Sequence, residues 1–201
     1  MKSLLPSSVE ARKLREVSFA LLLRDRQPLE IAALASALGF DQAVTATAVA
    51  DLAAVGWLDL DSQGCVIGAA GLSLSHGPHR LQLAEQSFQT WCAYDSLGIA
   101  AALSSDAVLE TACGQCGVLI KLAFAAGQPE RNGPELLWLA TGGSDLRSSF
   151  CTPTVLLCGP EHGAAWAQNQ ADRGQLLDLH SAAQSGAADW ASCAQAARRL
   201  A

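Results

Sequence analysis

The length, composition and charge of the chain are those of a globular protein. It has 201 residues, of which 50% are hydrophobic and 16% are charged, and a chain of this size buries roughly 70% of its unfolded surface without a stabilising disulfide or metal. A net charge of −6 argues against a nucleic-acid-binding protein, whose binding face is normally basic. No apolar run reaches the roughly 18 residues of a membrane span, and charged residues interrupt the first twenty positions. We therefore expect a cytoplasmic protein with neither a nucleic-acid nor a membrane partner.

The N-terminal third is predicted to be helical and to end in a hairpin. Hydrophobic periodicity and turn residues predict helices over 8–25, 28–39 and 41–55, followed by a β-hairpin over 57–67. Three helices followed by a hairpin are typical of a winged helix, so we expect a winged-helix-like module over residues 1–75. Its third helix contains no Lys or Arg and carries Asp41 and Asp51, whereas a DNA-reading helix needs basic residues to contact phosphates. A packing role is favoured over DNA binding.

The rest of the chain, residues 76–201, is predicted to form a mixed α+β core with antiparallel strands. A second hairpin is expected to pair 72–74 with 80–83, and a helix is expected over 87–103. Strands are predicted from 108 to a tight turn at 113–117, then over 118–124, 135–140 and 155–158, with a loop at 141–145 and closing helices at 161–171 and 180–200. The predicted fold class is α+β.

Cysteine is the residue type most informative about function. A disulfide framework is disfavoured because the number is odd and the chain is large enough to fold without one. Each cysteine is then a small core residue, a metal ligand or a reactive thiol. The isolated His162 and His180 are interpreted as surface or internally satisfied side chains. The seven cysteines are Cys65, Cys92, Cys113, Cys116, Cys151, Cys158 and Cys193.

The C-x-x-C pair Cys113 and Cys116 lies in a predicted turn. Together with the H-x-x-H pair His76 and His79 it would supply the four ligands of a tetrahedral zinc site. A redox-active dithiol is a second interpretation, although the pair does not open a helix after a strand as thioredoxin-type sites do. A purely structural turn is the third, and the sequence leaves all three open.

Cys92 and Asp95 form a second pair of interest. Three residues apart on a helix, they project from the same face, and Trp91 and Leu97 flank them with apolar surface. An apolar environment raises the pKa of a carboxyl group, and a protonated carboxyl can donate a proton in catalysis. The alternative is an ordinary helical aspartate beside a buried cysteine.

Two longer motifs make the chain similar to a known family. WCAYDSL at 91–97 resembles the W-C-A-x-D-[ST]-L motif of the alkylmercury (organomercurial) lyases, and RSSFC at 147–151 resembles their R-x-S-F-C segment. Trp166 and Ala167 match a tryptophan–alanine pair that the family carries before its last helices. The resemblance covers most of the chain and implies the same winged-helix-like N-terminal region and α+β core.

The resemblance also implies an activity. These enzymes detoxify organomercurials by protonolysis of the carbon–mercury bond, which releases a hydrocarbon and Hg(II) without a cofactor. Carried over residue by residue, Cys92 and Cys151 would be the catalytic thiols that bind the mercury of substrate and product. Asp95 would be the catalytic carboxylate that handles the proton, and Cys113 would be structural.

The chemistry of mercury accounts for these residue types, because a soft metal prefers thiolate to oxygen or nitrogen ligands. The implied partners are an organomercurial substrate, low-molecular-weight thiols and a mercuric reductase that accepts Hg(II). Two positions depart from the family: Thr152 stands where many members have a second cysteine, and Cys116 is an additional cysteine. A non-catalytic carrier of soft metals that uses the same thiols, or a metal-responsive DNA-binding regulator, remains an alternative.

Overall fold

The computed structural model describes residues 6, 8–142, 145–170 and 173–201; part of the predicted loop at 141–145 lies outside them. In the described chain the helices are α1 (Val9–Asp25), α2 (Ile31–Leu38), α3 (Gln42–Ala54), α4 (Ala93–Leu103), α5 (Pro160–Gln170), α6 (Leu179–Asp189) and α7 (Ala191–Leu200). The strands are β1 (Leu58–Leu60), β2 (Val66–Ala69), β3 (Leu72–Ser73), β4 (His79–Leu83), β5 (Gln86–Thr90), β6 (Ala107–Ala112), β7 (Leu119–Ala125), β8 (Gln128–Pro129), β9 (Leu136–Ala140), β10 (Val155–Leu157) and β11 (Gly174–Asp178). A π-helical turn spans Arg147–Cys151. The chain is α+β, and every strand pairing within its two sheets is antiparallel.

The three N-terminal helices form where the sequence predicts them, and local capping explains their ends. The Asp41 carboxylate accepts the backbone N–H of Ala43 at 2.8 Å and so begins α3. Gly39 ends α2 in the left-handed conformation, with φ of 68°, which glycine adopts without steric cost. The hairpin β1–β2 follows α3, as expected.

The larger sheet has eight strands in the order β1-β2-β3-β5-β4-β6-β7-β8. It runs without interruption across residue 75, so the hairpin after α3 and the strands of residues 76–201 share one sheet. The predicted pairing of 72–74 with 80–83 is wrong, because β5 lies between β3 and β4 and bonds to both. Leu72 is paired with Thr90, and Leu81 with Phe88.

The predicted helix over 87–103 is too long at its N-terminal end. Residues 86–90 form β5, in which Phe88 and Thr90 are buried while Ser87 is exposed. This alternation with a period of two is that of a strand with one face on the core. The error matters for the site, because Cys92 then lies at the junction between β5 and α4 rather than inside a helix.

The buried helix α4 is held closely by its neighbours. Residues 93–101 of this helix are all buried, and α4 crosses α6 where Gly98 meets Gly186. A Cβ atom on Gly186 would lie 2.4 Å from the Gly98 Cα, so only glycine permits this approach. The close packing fixes the position of the helix that begins at Cys92.

The smaller sheet has the order β10-β9-β11. The sequence analysis predicted β9 and β10 but missed β11. The single closing helix predicted over 180–200 is instead divided at Trp190 into α6 and α7. In the described part of the chain, no single helix is long and apolar enough to cross a membrane. Only α2 and α3 taken together reach the required length and apolarity, and the chain bends by 109° between them.

Candidate active site

Cys92 and Asp95 are held together by the start of α4. Cys92 is the N-cap residue, with extended backbone angles, and Asp95 is the third residue of the helix. The Asp95 carboxylate accepts the Cys92 backbone N–H at 2.6 Å, and the Asp95 backbone N–H in turn bonds the Cys92 sulfur. This reciprocal capping box places thiol and carboxyl side by side. Both side chains are buried.

Cys151 reaches the same point from another part of the chain. It is the last residue of the π-helical turn, where the Thr152 N–H bonds the Arg147 carbonyl at 2.8 Å. The Cys92 sulfur, the Cys151 sulfur and a carboxylate oxygen of Asp95 all lie within 4.8 Å of one another. The three residues singled out by the sequence motifs are therefore in one cluster.

Gly71, which the sequence analysis did not identify, lies directly against the carboxyl group of Asp95. It adopts φ of 88°, and a Cβ atom on it would lie 2.5 Å from both Cγ and Oδ1 of Asp95. Any larger residue would displace the carboxylate. Only the close approach of the β2–β3 turn to α4, a long-range feature, reveals this requirement.

Burial controls the protonation of the cluster. Loss of solvent raises the pKa of Asp95 from 3.8 to about 6, although hydrogen bonds from Cys92 and the positive charges of Arg147 and Arg15 oppose the rise. Burial also raises the pKa of Cys92 well above that of a free thiol, and its contacts with Cys151 and with the negative charge of Asp95 add to the effect. At neutral pH the site thus holds a protonated Cys92 thiol beside a largely ionised carboxylate.

Arg147 connects the two sequence motifs. Its guanidinium lies 3.3 Å from the centre of the Trp91 ring and forms an ion pair with Asp59. The Asp59 carboxylate also accepts the Trp91 indole N–H at 2.7 Å, and Arg147 Nε donates to the Gly56 carbonyl at 3.0 Å. Stacking and hydrogen bonding together fix the residues that precede Cys92 and Cys151.

Cys151 borders two cavities. The smaller, about 20 Å³, borders Asp95 and Gly71 and has walls of aromatic and aliphatic side chains. The larger, about 340 Å³, also borders Cys151 and is lined in part by His79, Thr111 and Cys113. It offers the larger space beside the cluster.

A buried cation faces the smaller cavity. Arg15 is 2% exposed, and its guanidinium lies 6.0 Å from the ring centres of Trp57 and Trp190. Its Nη1 donates to the Cys193 sulfur at 3.1 Å, while its Nε has no hydrogen-bond partner in the described chain. A positive charge at this position favours negative charge in the neighbouring cluster.

The predicted zinc ligands do not come together as expected. Cys113 and Cys116 are close, but His79 is buried against Thr111, with Nδ1 2.6 Å from the hydroxyl, and burial lowers its pKa to about 4. His76 contacts Ser75 instead. The interpretation of H-x-x-H as the second half of a zinc site is wrong, because neither imidazole joins the ligand atoms that gather around Cys113 and Cys116.

His162, interpreted from the sequence as isolated, joins the C-x-x-C turn together with Cys158. The ligand atoms of Cys113, Cys116, Cys158 and His162 all lie within 4.8 Å of one another. Burial raises the pKa of Cys113, but backbone N–H bonds to its sulfur outweigh that effect and lower it to about 6. The spacing Cys-x-x-x-His at 158–162 was the available sequence signal. Cys65 and Cys193 belong to neither cluster.

Comparisons with known proteins agree with the motifs. The family model MerB, alkylmercury lyase, matches residues 72–192. An alkylmercury lyase of Pseudomonas putida is 30% identical over 157 residues, which are 74% of this chain and 72% of that protein. One of Streptomyces lividans is 26% identical over 55% of this chain and 53% of its own length.

A solved structure shows the same fold. The mercury-bound form of MerB2 superposes with a TM-score of 0.81 at 20% identity, over 95% of this chain and 93% of its own. The family model covers more than half of the chain, and it includes both site motifs. This chain belongs to the alkylmercury lyase family.

Proposed function

We propose that this protein cleaves the carbon–mercury bond of organomercurials by protonolysis, giving a hydrocarbon and Hg(II), and so detoxifies mercury compounds. The observation that carries the proposal is the convergence of two thiols and one buried carboxyl group within 4.8 Å. Thiols are the ligands that a soft metal prefers, and the carboxyl supplies the acid that the departing carbon needs.

In the binding step, the two cysteines replace the thiolate carried by the incoming organomercurial. Cys92 is protonated in the free site because its pKa is raised, so its proton must leave before sulfur bonds mercury. The adjacent Asp95 carboxylate is the base that accepts it. The proton of Cys151 leaves with the displaced thiolate as a free thiol, and mercury becomes bonded to both sulfurs and to carbon.

In the cleavage step, the proton moves from Asp95 to carbon. Two thiolates donate electron density to mercury and weaken its bond to carbon, whose electron pair accepts the proton as the bond breaks. The hydrocarbon leaves, Hg(II) stays on Cys92 and Cys151, and Asp95 is a carboxylate again. A pKa of about 6 suits a group that first accepts and then donates a proton near neutral pH. No oxidation state changes.

The cavities suggest how the substrate is oriented. The smaller one is lined by Trp57, Phe150 and Trp190 next to Asp95. At about 20 Å³ it is no larger than a small group such as methyl, so a phenyl group would enter it only if these side chains moved apart. We propose that the larger cavity beside Cys151 admits the thiol-bound mercurial and releases Hg(II). Low-molecular-weight thiols and a mercuric reductase are the proposed acceptors.

The remaining parts of the proposal concern organisation. We propose that residues 1–75 act as a winged-helix-like packing module and residues 76–201 as the catalytic core, in a cytoplasmic protein. Arg15 on α1 and Trp57 before β1 supply one wall of the smaller cavity. The N-terminal residues would thus complete the site rather than bind a separate partner.

The test is hydrocarbon release. Purified protein is mixed with phenylmercury or methylmercury and excess small thiol, and benzene or methane is measured by gas chromatography. We expect repeated turnover by the wild type, none by Cys92→Ala or Cys151→Ala, and normal turnover by Cys65→Ala, which removes a thiol outside both clusters. Stoichiometric mercury binding without hydrocarbon would identify a carrier and contradict the proposal.

A further inference from the structure

A second group of metal-ligating side chains lies outside the candidate active site. We propose that Cys113, Cys116, Cys158 and His162 form a tetrahedral Zn(II) site that secures the chain segment carrying Cys151. The proposal does not depend on the activity described above, since it concerns different side chains and a resident ion.

The four residues come from two chain segments that pack against each other. Cys113 and Cys116 lie in the turn between β6 and β7, where the Gly117 N–H bonds the Cys113 carbonyl at 2.8 Å and Gly117 adopts φ of 73°. Cys158 directly follows β10, and His162 lies in the first turn of α5. A turn that presents C-x-x-C and a helix start that presents C-x-x-x-H match the usual spacings of structural zinc ligands.

Backbone hydrogen bonds join the two segments. The Gly114 N–H donates to the Leu156 carbonyl at 2.9 Å, and the Cys158 N–H donates to the Cys113 sulfur at 3.4 Å. A Cβ atom on Gly114 would lie 2.6 Å from a methyl carbon of Val155. The turn therefore packs directly on β10, and the cysteines are in place through the fold itself.

The distances are close to those of a tetrahedral site. Bonds of about 2.3 Å to sulfur and 2.0–2.1 Å to nitrogen place two sulfurs roughly 3.8 Å apart and sulfur and nitrogen roughly 3.6 Å apart. The Cys116 and Cys158 sulfurs are 3.9 Å apart, and the Cys113 sulfur lies 3.7 Å from His162 Nδ1. Cys158 Sγ and His162 Nδ1, at 2.9 Å, must separate by about 0.7 Å, and all the ligand atoms already lie within 4.8 Å of one another.

The donor set favours zinc as the ion. Three thiols and one imidazole are an established combination for closed, structural Zn(II) sites. The four side chains offer no oxygen ligand, the type that Mg²⁺ and Ca²⁺ prefer. Cys113 is buried and Cys116 is exposed, so the site lies at the surface with one buried side, where an ion can enter.

The position of the cluster suggests what the zinc does. It joins the β6–β7 turn of the larger sheet to the segment 151–158, which runs from Cys151 into β10. Cys113 and Cys151 both border the 340 Å³ cavity. Because an ion held by both segments contributes its binding free energy to folding, zinc would stabilise this wall of the cavity and thereby the placement of Cys151.

The test begins with metal content and does not require substrate. Protein expressed with zinc supplementation and freed of loosely bound metal should contain about one zinc per chain by mass spectrometry. Cys116→Ser should lose most of it and melt at a lower temperature, while Cys65→Ser keeps it. Cys92→Ala combined with Cys151→Ala should also keep it, which separates this site from the candidate active site.

Cobalt substitution identifies the ligands directly. Co(II) exchanged into the wild type should give the visible bands of tetrahedral Co(II) and thiolate charge-transfer absorption, and Cys116→His should bind cobalt with weaker charge transfer. A wild type that neither holds zinc nor binds added Zn(II) or Co(II) would overturn the proposal. So would a disulfide between Cys116 and Cys158 in freshly purified protein.

Discussion

Replacing Asp95 by Asn separates proton transfer from mercury binding and has a consequence for stability that follows from burial. The pKa of Asp95 is about 6 in the folded protein against 3.8 for an unperturbed aspartate. Because the folded-state pKa is raised, the carboxyl stabilises the fold fully only below the unfolded pKa of 3.8, and this contribution is lost as the pH rises through about 6. At 1.36 kcal/mol per pKa unit, the difference is about 3 kcal/mol.

Asn is neutral at every pH and keeps an oxygen that can accept the Cys92 N–H. Relative to the wild type, Asp95→Asn should therefore gain about 2 kcal/mol in the free energy of unfolding between pH 4 and pH 7.5, because an unfolded aspartate is already more than half ionised at pH 4. The gain is measured by urea unfolding of both proteins across that pH range. The contributions of other titrating groups cancel in the difference between the two proteins. At pH 7.5 the variant should bind Hg(II) while its hydrocarbon release falls by about 10²–10⁴.

Two results would refute this reasoning. If the stability difference between Asp95→Asn and wild type were the same at pH 4 and pH 7.5, the buried carboxyl would not have a raised pKa. If single-turnover hydrocarbon release by the variant matched that of the wild type, Asp95 would only cap its helix, and the proton would come from another group.

Two further predictions concern residues that position the site. Gly71→Ala should reduce hydrocarbon release roughly 100-fold, because the new Cβ would lie 2.5 Å from the Asp95 carboxyl and must push it away by about 1 Å. Gly39→Ala is the control, since Gly39 also has a left-handed backbone but no atom within 4 Å of such a Cβ, and its rate should not change. Equal losses in both variants would contradict the explanation. Asp59→Ala should lower the free energy of unfolding by about 2 kcal/mol. Combined with Arg147→Met, the loss should be smaller than the sum of the two single losses, because both changes remove the same ion pair. Strictly additive losses in urea unfolding would show that the ion pair does not contribute to stability.

Local sequence signals predicted much of the framework. Capping at Asp41, the glycine that ends α2 and the turn at 113–117 are decided by neighbouring residues, and the structure has them where they were expected. The strand β5 was missed because the helical periodicity of 93–103 was extended backwards over residues that alternate like a strand. The antiparallel α+β class was nevertheless predicted.

The contents of the two clusters show where sequence reasoning stops. Cys92 and Asp95 are three residues apart, so their proximity follows from local geometry, and Cys151 was added through the resemblance of its motif. His162 was missed because it reaches Cys113 only when the β6–β7 turn packs along β10, beside the start of α5. Gly71 was missed for the same reason, since its glycine requirement arises from a helix distant in sequence.

The central claim is that the carbon–mercury bond is broken by a proton from an exchangeable group of the protein. The most direct measurement is to equilibrate the enzyme in D₂O, react it with phenylmercury in a single turnover, and analyse the benzene by mass spectrometry. The mechanism predicts benzene with one deuterium in wild-type protein and almost no product in Asp95→Asn. Benzene without deuterium, or biphenyl or phenol in its place, would contradict protonolysis.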